Sequence, residues 1–190
     1  ERVKNDGIDG AIIRAAYSTV KMDSECDRNI EQCERYDIPF GLYIYSLAKT
    51  RDRARKEAEI LRHKAKGHRI EFPLYIDLEN PGYGRYAHMA AKEFGDVIER
   101  SGYWAGVYAN LNWWEEYLRD TTRYTRWVAR YGGKPDVPDM DMWQYTSTGR
   151  VDGIDGYCDR NRCYVDFPRV IRRSRRLAER RDLKGEERIY

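Results

Sequence analysis

Cysteine and histidine are scarce in this sequence, which has four of the former and three of the latter among its 190 residues. Cys26 and Cys33 lie seven residues apart in a helical pattern, about 10.5 Å along its axis, which is too far for a disulfide. Cys158 and Cys163 could bridge each other only if the chain turned between them. Neither pair has the CxxC spacing, and no two histidines lie four residues apart. We therefore expect free or structural thiols, no metal site and no cofactor.

Long apolar runs are absent as well. No segment approaches the roughly 18 apolar residues that a membrane-spanning helix needs, and no signal peptide is visible. The chain opens at Glu1 on what resembles mid-domain sequence. We expect no membrane span.

Most of the chain also lacks the positive charge that nucleic-acid binding requires. The net charge is +3 at pH 7, but residues 172–190 contain seven Arg and one Lys against three Glu and one Asp. The other 171 residues are therefore within about one charge of neutrality. We interpret residues 1–171 as one domain and residues 172–190 as a basic tail, either a solvated helix or a linker. No nucleic-acid partner is expected.

Aromatic side chains, in contrast, are abundant. Sixteen Tyr and five Trp contribute to an aromatic content of 13% in a chain that is 41% hydrophobic. Such rings serve equally for core packing and for stacking on sugars or bases. The composition excludes a disordered chain, and 22.6 kDa is enough to bury a substantial core.

Short apolar strand candidates alternate with helical patterns in the first part of the chain. A helix over about 49–66 is indicated by apolar residues that recur at spacings of four, three and four from Ala54 to Ala65. Strands are predicted at 10–17, 38–48, 72–79, 103–111, 123–131, 139–147 and 157–165, and further helices at about 23–37, 84–100 and 112–119. After residue 120 the strands follow one another too closely for full helices between them.

This order of elements predicts an α/β fold, a TIM-like β/α barrel that is irregular because its second half has lost its helices. In such barrels the catalytic groups lie at the carboxyl ends of the strands. Polar residues occur at these positions here. They are Asp77 and Glu79 in one strand, Tyr43 and Tyr45 in a second, Tyr108 and Asn110 in a third, and Trp143, Gln144 and Tyr145 in a fourth.

The segment PLYIDLEN, residues 73–80, places two acids at the end of a buried strand. Residues i and i+2 of a strand project from the same face, so Asp77 and Glu79 should point together, with Cα atoms about 6.6 Å apart. Two such acids cannot both ionise easily, and one pKa should rise. A protonated carboxyl beside an ionised one suits glycoside hydrolysis. Alternatively, one acid pairs with an arginine such as Arg14 and the other is solvated; a metal site would need more carboxylates.

Five segments of the chain, in order, resemble glycoside hydrolase family 25, the muramidases or lysozymes of bacteria and their phages. They are IPFGLYIYS at 38–46, YIDLEN at 75–80, GVYANLNWW at 106–114, RWVARY at 126–131 and MWQYTSTGRVDGIDGYCDRN at 142–161. The resemblance extends from about residue 3 to residue 167. It implies a barrel of five βα units and three further strands. It also implies cleavage of the β-1,4 bond between N-acetylmuramic acid and N-acetylglucosamine in peptidoglycan.

The resemblance further implies roles for single residues. Glu79 would be the general acid, and Asp77 would orient or stabilise the acetamido group of the substrate or act more directly. Asp159 matches a further acid, with Asp155 as the competing choice. Residues expected to line the cleft are Tyr43, Tyr45, Tyr108 and Trp143, with Arg14 and Gln144 as polar contacts. Substrate assistance, a covalent intermediate and inversion all stay open at this point.

One departure from the family pattern concerns the first strand. Family members begin with a strand of the type GIDVSxWQ, whereas this chain starts at ERVKNDGID, which resembles the end of the following helix. We therefore expect a barrel without its first strand, and we favour a fragment over a strand that is supplied otherwise or a degenerate copy. We do not transfer the role of the missing acid to Asp9.

Two functional hypotheses follow. The first is a monomeric muramidase that acts on peptidoglycan glycan strands outside the cell or in the cell wall. The alternative is a catalytically impaired, carbohydrate-binding pseudoenzyme. A chitinase-type barrel is disfavoured, because the residues ahead of Asp77 do not fit the DxxDxDxE motif of those enzymes.

Overall fold

The computed structural model describes residues 1–121 and 123–175. Its elements, in chain order, are α1 (Arg2–Asn5), β1 (Ala11–Tyr17), β2 (Lys21–Met22), α2 (Cys26–Arg35), β3 (Phe40–Tyr45), α3 (Arg51–Ala65), β4 (Ile70–Asp77), α4 (Gly84–Arg100), β5 (Ala105–Asn110), α5 (Leu111–Glu116), β6 (Thr125–Ala129), β7 (Met142–Gly149) and β8 (Cys158–Cys163). Residues 167–175 form a further helical segment.

The eight strands form one curled sheet in the order β2-β1-β3-β4-β5-β6-β7-β8. All neighbours from β1 to β7 are parallel, whereas β2 and β8, at the two edges, are antiparallel to β1 and β7. Four βα units are followed by three strands, and no helix separates β6, β7 and β8 in the described part of the chain. The prediction of an irregular α/β barrel-like fold is confirmed.

The centre of the sheet explains why β4 is so apolar. All eight residues of β4 are buried, because parallel strands are covered on one face by helices and on the other by the barrel interior. Helix α3 begins where the Thr50 side chain accepts a hydrogen bond from the backbone N–H of Arg53. Asp52 in its first turn and basic residues in its last turn suit the helix dipole. Its buried face packs on the sheet.

The inner face of the sheet carries an aromatic cluster. Tyr75 of β4 is fully buried there beside Tyr108 of β5 and Trp127 of β6, with ring centroids of Tyr75 and Trp127 5.1 Å apart. Gly106 makes room for Tyr75, since a Cβ at this position would overlap the tyrosine ring. This cluster forms the layer beneath the polar residues described below.

The helical segment 167–175 closes the amino-terminal end of the sheet. Phe167 and Ile171 are buried against Phe72, and the Arg172 Nε lies 2.7 Å from Glu71 Oε1. The predicted boundary between residues 171 and 172 falls inside this segment. Residues 176–190, most of the predicted basic tail, lie outside the described residues, so the division into a domain and a tail stays a prediction.

Two short elements complete the fold. The helix end expected at the start of the sequence corresponds to α1. Strand β2 was not predicted, because its two residues, which pair with Ala16 and Tyr17, are too few to show a periodic pattern. Among residues 1–121 and 123–175, no helix is both long and apolar enough to cross a membrane.

Candidate active site

A pocket of about 880 Å³ follows the inner face of the sheet, bounded by β1 on one side and β8 on the other. It reaches the carboxyl ends of β3, β4 and β5, where the sequence places its polar residues. Six of the predicted site residues line it: Tyr43, Asp77, Glu79, Tyr108, Gln144 and Asp159.

Asp77 is the last residue of β4 and is only 6% exposed. No donor among the described residues reaches its Oδ1 atom. Burial raises the pKa of Asp77 well above its ordinary value, and the charges of Glu79 and Asp159 raise it further, while Arg14 opposes them. A buried carboxyl oxygen without a partner is costly for stability and is free to bind a ligand.

Glu79 lines the same pocket as Asp77, as expected for positions i and i+2 of an extended segment, but its side chain is exposed. Its pKa is raised by partial desolvation and by the charge of Asp159, while the nearby Tyr108 hydroxyl lowers it. Glu79 is therefore a carboxyl that holds a proton more readily than a free glutamate and is accessible from solvent.

The third acid, Asp159, comes from β8, the antiparallel edge strand. Desolvation raises its pKa as well. The competing residue Asp155 is exposed and does not line the pocket. It lies in the turn between β7 and β8, where Gly153 and Gly156 adopt φ angles of +92° and +88° that favour glycine. The structure thus brings Asp159, and not Asp155, into the pocket with Asp77 and Glu79.

The pocket also contains tyrosine hydroxyls and one buried amide. The hydroxyls of Tyr108 and Tyr131 both donate to Gln144 Oε1, at 3.0 and 2.9 Å. Burial and the charge of Asp77 raise the pKa of Tyr43 to about 12, so this side chain keeps its proton. The arrangement of three carboxyls among aromatic rings in one pocket fits acid catalysis on a sugar.

The sequence model of the glycosyl hydrolases family 25 matches residues 1–154. The chain belongs to this family. The matched range includes Asp77, Glu79 and Gln144, and Asp159 follows shortly after it.

Relatives of the family 25 chain include proteins of bacteria and phages. Lysozyme M1 of Streptomyces globisporus is 28% identical over 95 residues, which cover 45% of this chain and 30% of that protein. The chain therefore spans less than a third of this curated relative. The catalytic domain of endolysin ply40 from the Listeria monocytogenes bacteriophage P40 is 30% identical, with a TM-score of 0.76 over 86% of this chain and 85% of that one. The autolysin LytC of Streptococcus pneumoniae is 27% identical, with a TM-score of 0.76 over 84% of this chain and 42% of that one.

Three predicted site residues of the family 25 chain do not line the pocket: Arg14, Tyr45 and Trp143. The Arg14 Nε donates to Asp23 Oδ2 at 2.7 Å, so its ion pair is with Asp23 and not with Asp77. Tyr45 stacks on Tyr17 with ring centroids 4.6 Å apart, although burial and the charge of Glu79 raise its pKa to about 12. Their predicted roles as substrate contacts stay predictions.

Trp143 lies on the face of β7 opposite to Gln144, because successive strand residues alternate between faces. Its indole N–H donates to the backbone carbonyl of Arg130 at 2.8 Å. The Arg162 guanidinium lies 5.9 Å from its ring centroid. The motif WQY therefore contributes its glutamine to the pocket and its tryptophan to the outer face.

Trp127 and Asn161 are among the pocket residues that were not predicted from the sequence. Trp127 of β6 contacts Tyr43, Tyr75 and Tyr108 edge-on, and its indole N–H donates to Asn161 Oδ1 at 2.8 Å. Both faces of β6 are buried, so the segment RWVAR does not show which face lines the pocket. Asn161 is two residues from Asp159 on β8, and the i, i+2 rule would have placed both on one face.

The described residues contain no group of three or more His, Cys, Asp or Glu side chains that could hold a metal ion. The four cysteines are free thiols. Burial raises the pKa of both Cys26 and Cys33 to about 11, so they are unreactive core residues.

Proposed function

We propose that this chain is a muramidase that hydrolyses the β-1,4 bond between N-acetylmuramic acid and N-acetylglucosamine in peptidoglycan. The observation that carries the proposal is the pocket that holds Asp77, Glu79 and Asp159, in which the charges of Glu79 and Asp159 raise the pKa of Asp77 and the charge of Asp159 raises that of Glu79. The similarity to the autolysin LytC supports the substrate, because LytC was solved in complex with a synthetic peptidoglycan ligand and is 26% identical in that comparison.

Glu79 is the general acid in this proposal. It is exposed in the pocket and has a raised pKa, so its proton is available to the glycosidic oxygen as the bond to the anomeric carbon breaks. The carboxylates that remain ionised stabilise the positive charge that develops on the sugar ring. Water then adds to the anomeric carbon and gives up a proton, which restores the acid and completes the hydrolysis.

Asp77 controls where the proton resides. In the free pocket burial favours the protonated form of Asp77 most strongly. An amide N–H of the substrate that donates to the unpartnered Oδ1 would favour the ionised form. Binding of an N-acetylated sugar would thus lower the pKa of Asp77, leave Glu79 as the protonated acid and place a negative charge beside the reacting centre.

The other pocket residues supply binding surface. The rings of Tyr43, Tyr108 and Trp127 provide apolar area for sugar stacking, and Gln144 is held rigid by two tyrosine hydroxyls. We infer a monomer that acts on glycan strands of the bacterial cell wall, outside the cytoplasm, with no role for nucleic acid.

Replacement of Glu79 by Gln tests the general acid. Glu79→Gln keeps the shape of the side chain but has no proton to donate, so hydrolysis should fall at least about 100-fold. The measurement is release of reducing ends from purified bacterial walls, together with clearing of wall turbidity. Thermal unfolding of the variant should match the wild type, because Glu79 is exposed.

The matched control is Glu31→Gln, which neutralises an exposed glutamate on α2 far from the pocket and should leave hydrolysis unchanged. Full activity in Glu79→Gln would show that Glu79 is not the general acid. Binding of walls by the wild type without release of reducing ends would contradict the muramidase and favour the carbohydrate-binding pseudoenzyme.

A further inference from the structure

Helix α3 carries a fully buried carboxylate that the proposed reaction does not use. Glu57 is 0% exposed and lies on the apolar face of the helix, next to Ala54, Ala58 and Leu61. Burial raises its pKa, although three hydrogen bonds and Arg53 oppose the shift. An acid in this position is unusual, because an apolar residue there would avoid the cost of burying a charge.

The two carboxylate oxygens of Glu57 join the ends of two strands. The Ser18 hydroxyl, just after β1, donates to Oε1, and the Ser46 hydroxyl, just after β3, donates to Oε2 at 2.6 Å. The backbone N–H of Leu47 also donates to Oε1, at 3.0 Å. Both serines are at most 3% exposed, so no water competes for these bonds. One side chain of the helix thereby fixes the carboxyl ends of β1 and β3.

The same two serines hold the backbone of the site. The Ser46 N–H donates to the backbone carbonyl of Asp77 at 2.9 Å, and the Ser18 N–H donates to the carbonyl of Tyr45 at 2.7 Å. Ser18 adopts a φ of +51°, an uncommon conformation for a non-glycine residue. Arg53 also donates to the Ser18 hydroxyl at 3.1 Å, which helps to hold this turn.

We propose that Glu57 is a positioning residue for the reaction and that Ser46 transmits its effect. The chain of contacts runs from the Glu57 carboxylate to the Ser46 hydroxyl, and from the Ser46 amide to the backbone of Asp77. It fixes the direction in which the Asp77 side chain leaves the end of β4. The inference rests on the proposed function, in which the unpartnered Oδ1 of Asp77 binds the substrate.

Kinetics of Ser46→Ala test the link, since this variant removes the hydroxyl and keeps the buried acid. We expect kcat on soluble peptidoglycan fragments to fall about tenfold with KM within about twofold, because small displacements of a reacting group are costly. Ser46→Thr restores the hydroxyl and should recover most of the rate. Ser101→Ala is the matched control: its hydroxyl donates to the Val97 carbonyl at the end of α4, remote from the pocket, and kcat should not change.

A double-mutant cycle tests the route through Glu57. Glu57→Gln keeps the size of the side chain. The double variant Glu57→Gln/Ser46→Ala should have a kcat no lower than that of the slower single variant, because both substitutions disrupt the same hydrogen bond between Ser46 and Glu57. Additive losses in kcat would overturn the proposal. So would variants that lose thermal stability while kcat and the pH profile of hydrolysis stay as in the wild type.

Carboxyl ¹³C titration of Asp77 separates this proposal from the proposed function. The pKa of Asp77, read as the midpoint of this titration, should shift in Ser46→Ala and not in Ser101→Ala. This holds whether or not the wild type hydrolyses walls. An unchanged midpoint in folded Ser46→Ala overturns the positioning role. If Ser46→Ala does not fold, the same titration in Glu57→Gln decides the question. If the wild type does not hydrolyse walls but the pKa of Asp77 shifts in Ser46→Ala, only the proposed function is contradicted.

Discussion

Asp77 in the pocket and Glu93 beneath the helices are equally buried, at 6% exposure, but their carboxylates have different surroundings. Asp77 has an oxygen that no donor in the described chain reaches. Glu93, on α4, is bonded by Arg51 and Arg55 and has every oxygen occupied. Glu93 thus has its charge satisfied by two arginines, whereas Asp77 keeps one carboxyl oxygen unsatisfied. The difference identifies the pocket as a place where stability is given up for binding capacity.

The two regions should also respond to pH with opposite sign. Burial raises the pKa of Asp77, so its contribution to stability is fully present below the ordinary aspartate pKa and is lost as pH rises through the folded value. Burial would raise the pKa of Glu93 too, but Arg55 and Arg51 outweigh it and lower the pKa. Its contribution is present above the ordinary glutamate pKa and is lost as pH falls through the folded value.

Asp77→Asn should give the largest effect. The amide cannot ionise, so hydrolysis should fall about 100-fold or more, while the free energy of unfolding at pH 7 rises by at least ~1 kcal/mol, roughly 2–4 °C in Tm for a chain of this size. At pH 3 the stability of variant and wild type should coincide. Thermal unfolding at the two pH values, beside wall hydrolysis, is the measurement. A variant that is less stable at pH 7 would break the contrast between the two regions.

Glu93→Gln should show the reverse pattern with a smaller effect. Arg51 and Arg55 are 66% and 54% exposed, so solvent screens their attraction to Glu93 and the loss at pH 7 should be about 1 kcal/mol. Hydrolysis should stay at the wild-type level. The loss should disappear in acid, below the pKa of the folded carboxyl. Urea unfolding at pH 7 and at pH 2.5 measures it, and an equal loss at both values would show that packing, and not charge, is responsible.

Tyr108→Phe should give the smallest effect, and it tests whether the Tyr108 hydroxyl influences the pKa of Glu79. The Tyr108 hydroxyl lowers the pKa of Glu79, so its removal should move the alkaline limb of the pH–rate profile to higher pH. The lost hydrogen bond should lower kcat about fivefold, equivalent to ~1 kcal/mol. Tyr131→Phe, which removes the other donor to Gln144, is the control and should leave the limb in place. A shift in both variants would mean that Gln144 mediates the effect.

The alternation of helices and strands was predictable because periodicity and burial determine it. Residues 72–79 were predicted as a strand with two acids at its end, and β4 ends at Asp77, with Glu79 beside it in the pocket. The convergence of Tyr43, Tyr108 and Gln144 on that pocket also followed from the placement of polar residues at strand ends, whereas Asp159 was predicted from the resemblance to family 25. These features depend on local sequence and on the general geometry of parallel strands.

Other features depended on contacts between distant residues and left no local pattern. The pairing of Arg14 with Asp23 follows from the β1–β2 hairpin, which was not predicted. The outward position of Trp143 depends on which face of β7 meets the barrel interior, and its neighbours Met142 and Gln144, one apolar and one polar, do not reveal that face. Glu57 did leave a signal, since a charged residue at an apolar helical spacing breaks the pattern of α3.

The helical segment 167–175 has a consequence for the order of synthesis. Phe72 and Phe167 pack together with ring centroids 5.7 Å apart, yet the ribosome adds Phe167 long after Phe72. At roughly 5–20 residues per second the delay is about 5–20 s, during which β1 to β5 can already pair. The apolar surface around Phe72 in the nascent sheet therefore stays exposed for seconds, until the helical segment 167–175 that buries it has been synthesised. Chaperone capture on stalled ribosomes should be strongest for chains that stop between these two phenylalanines.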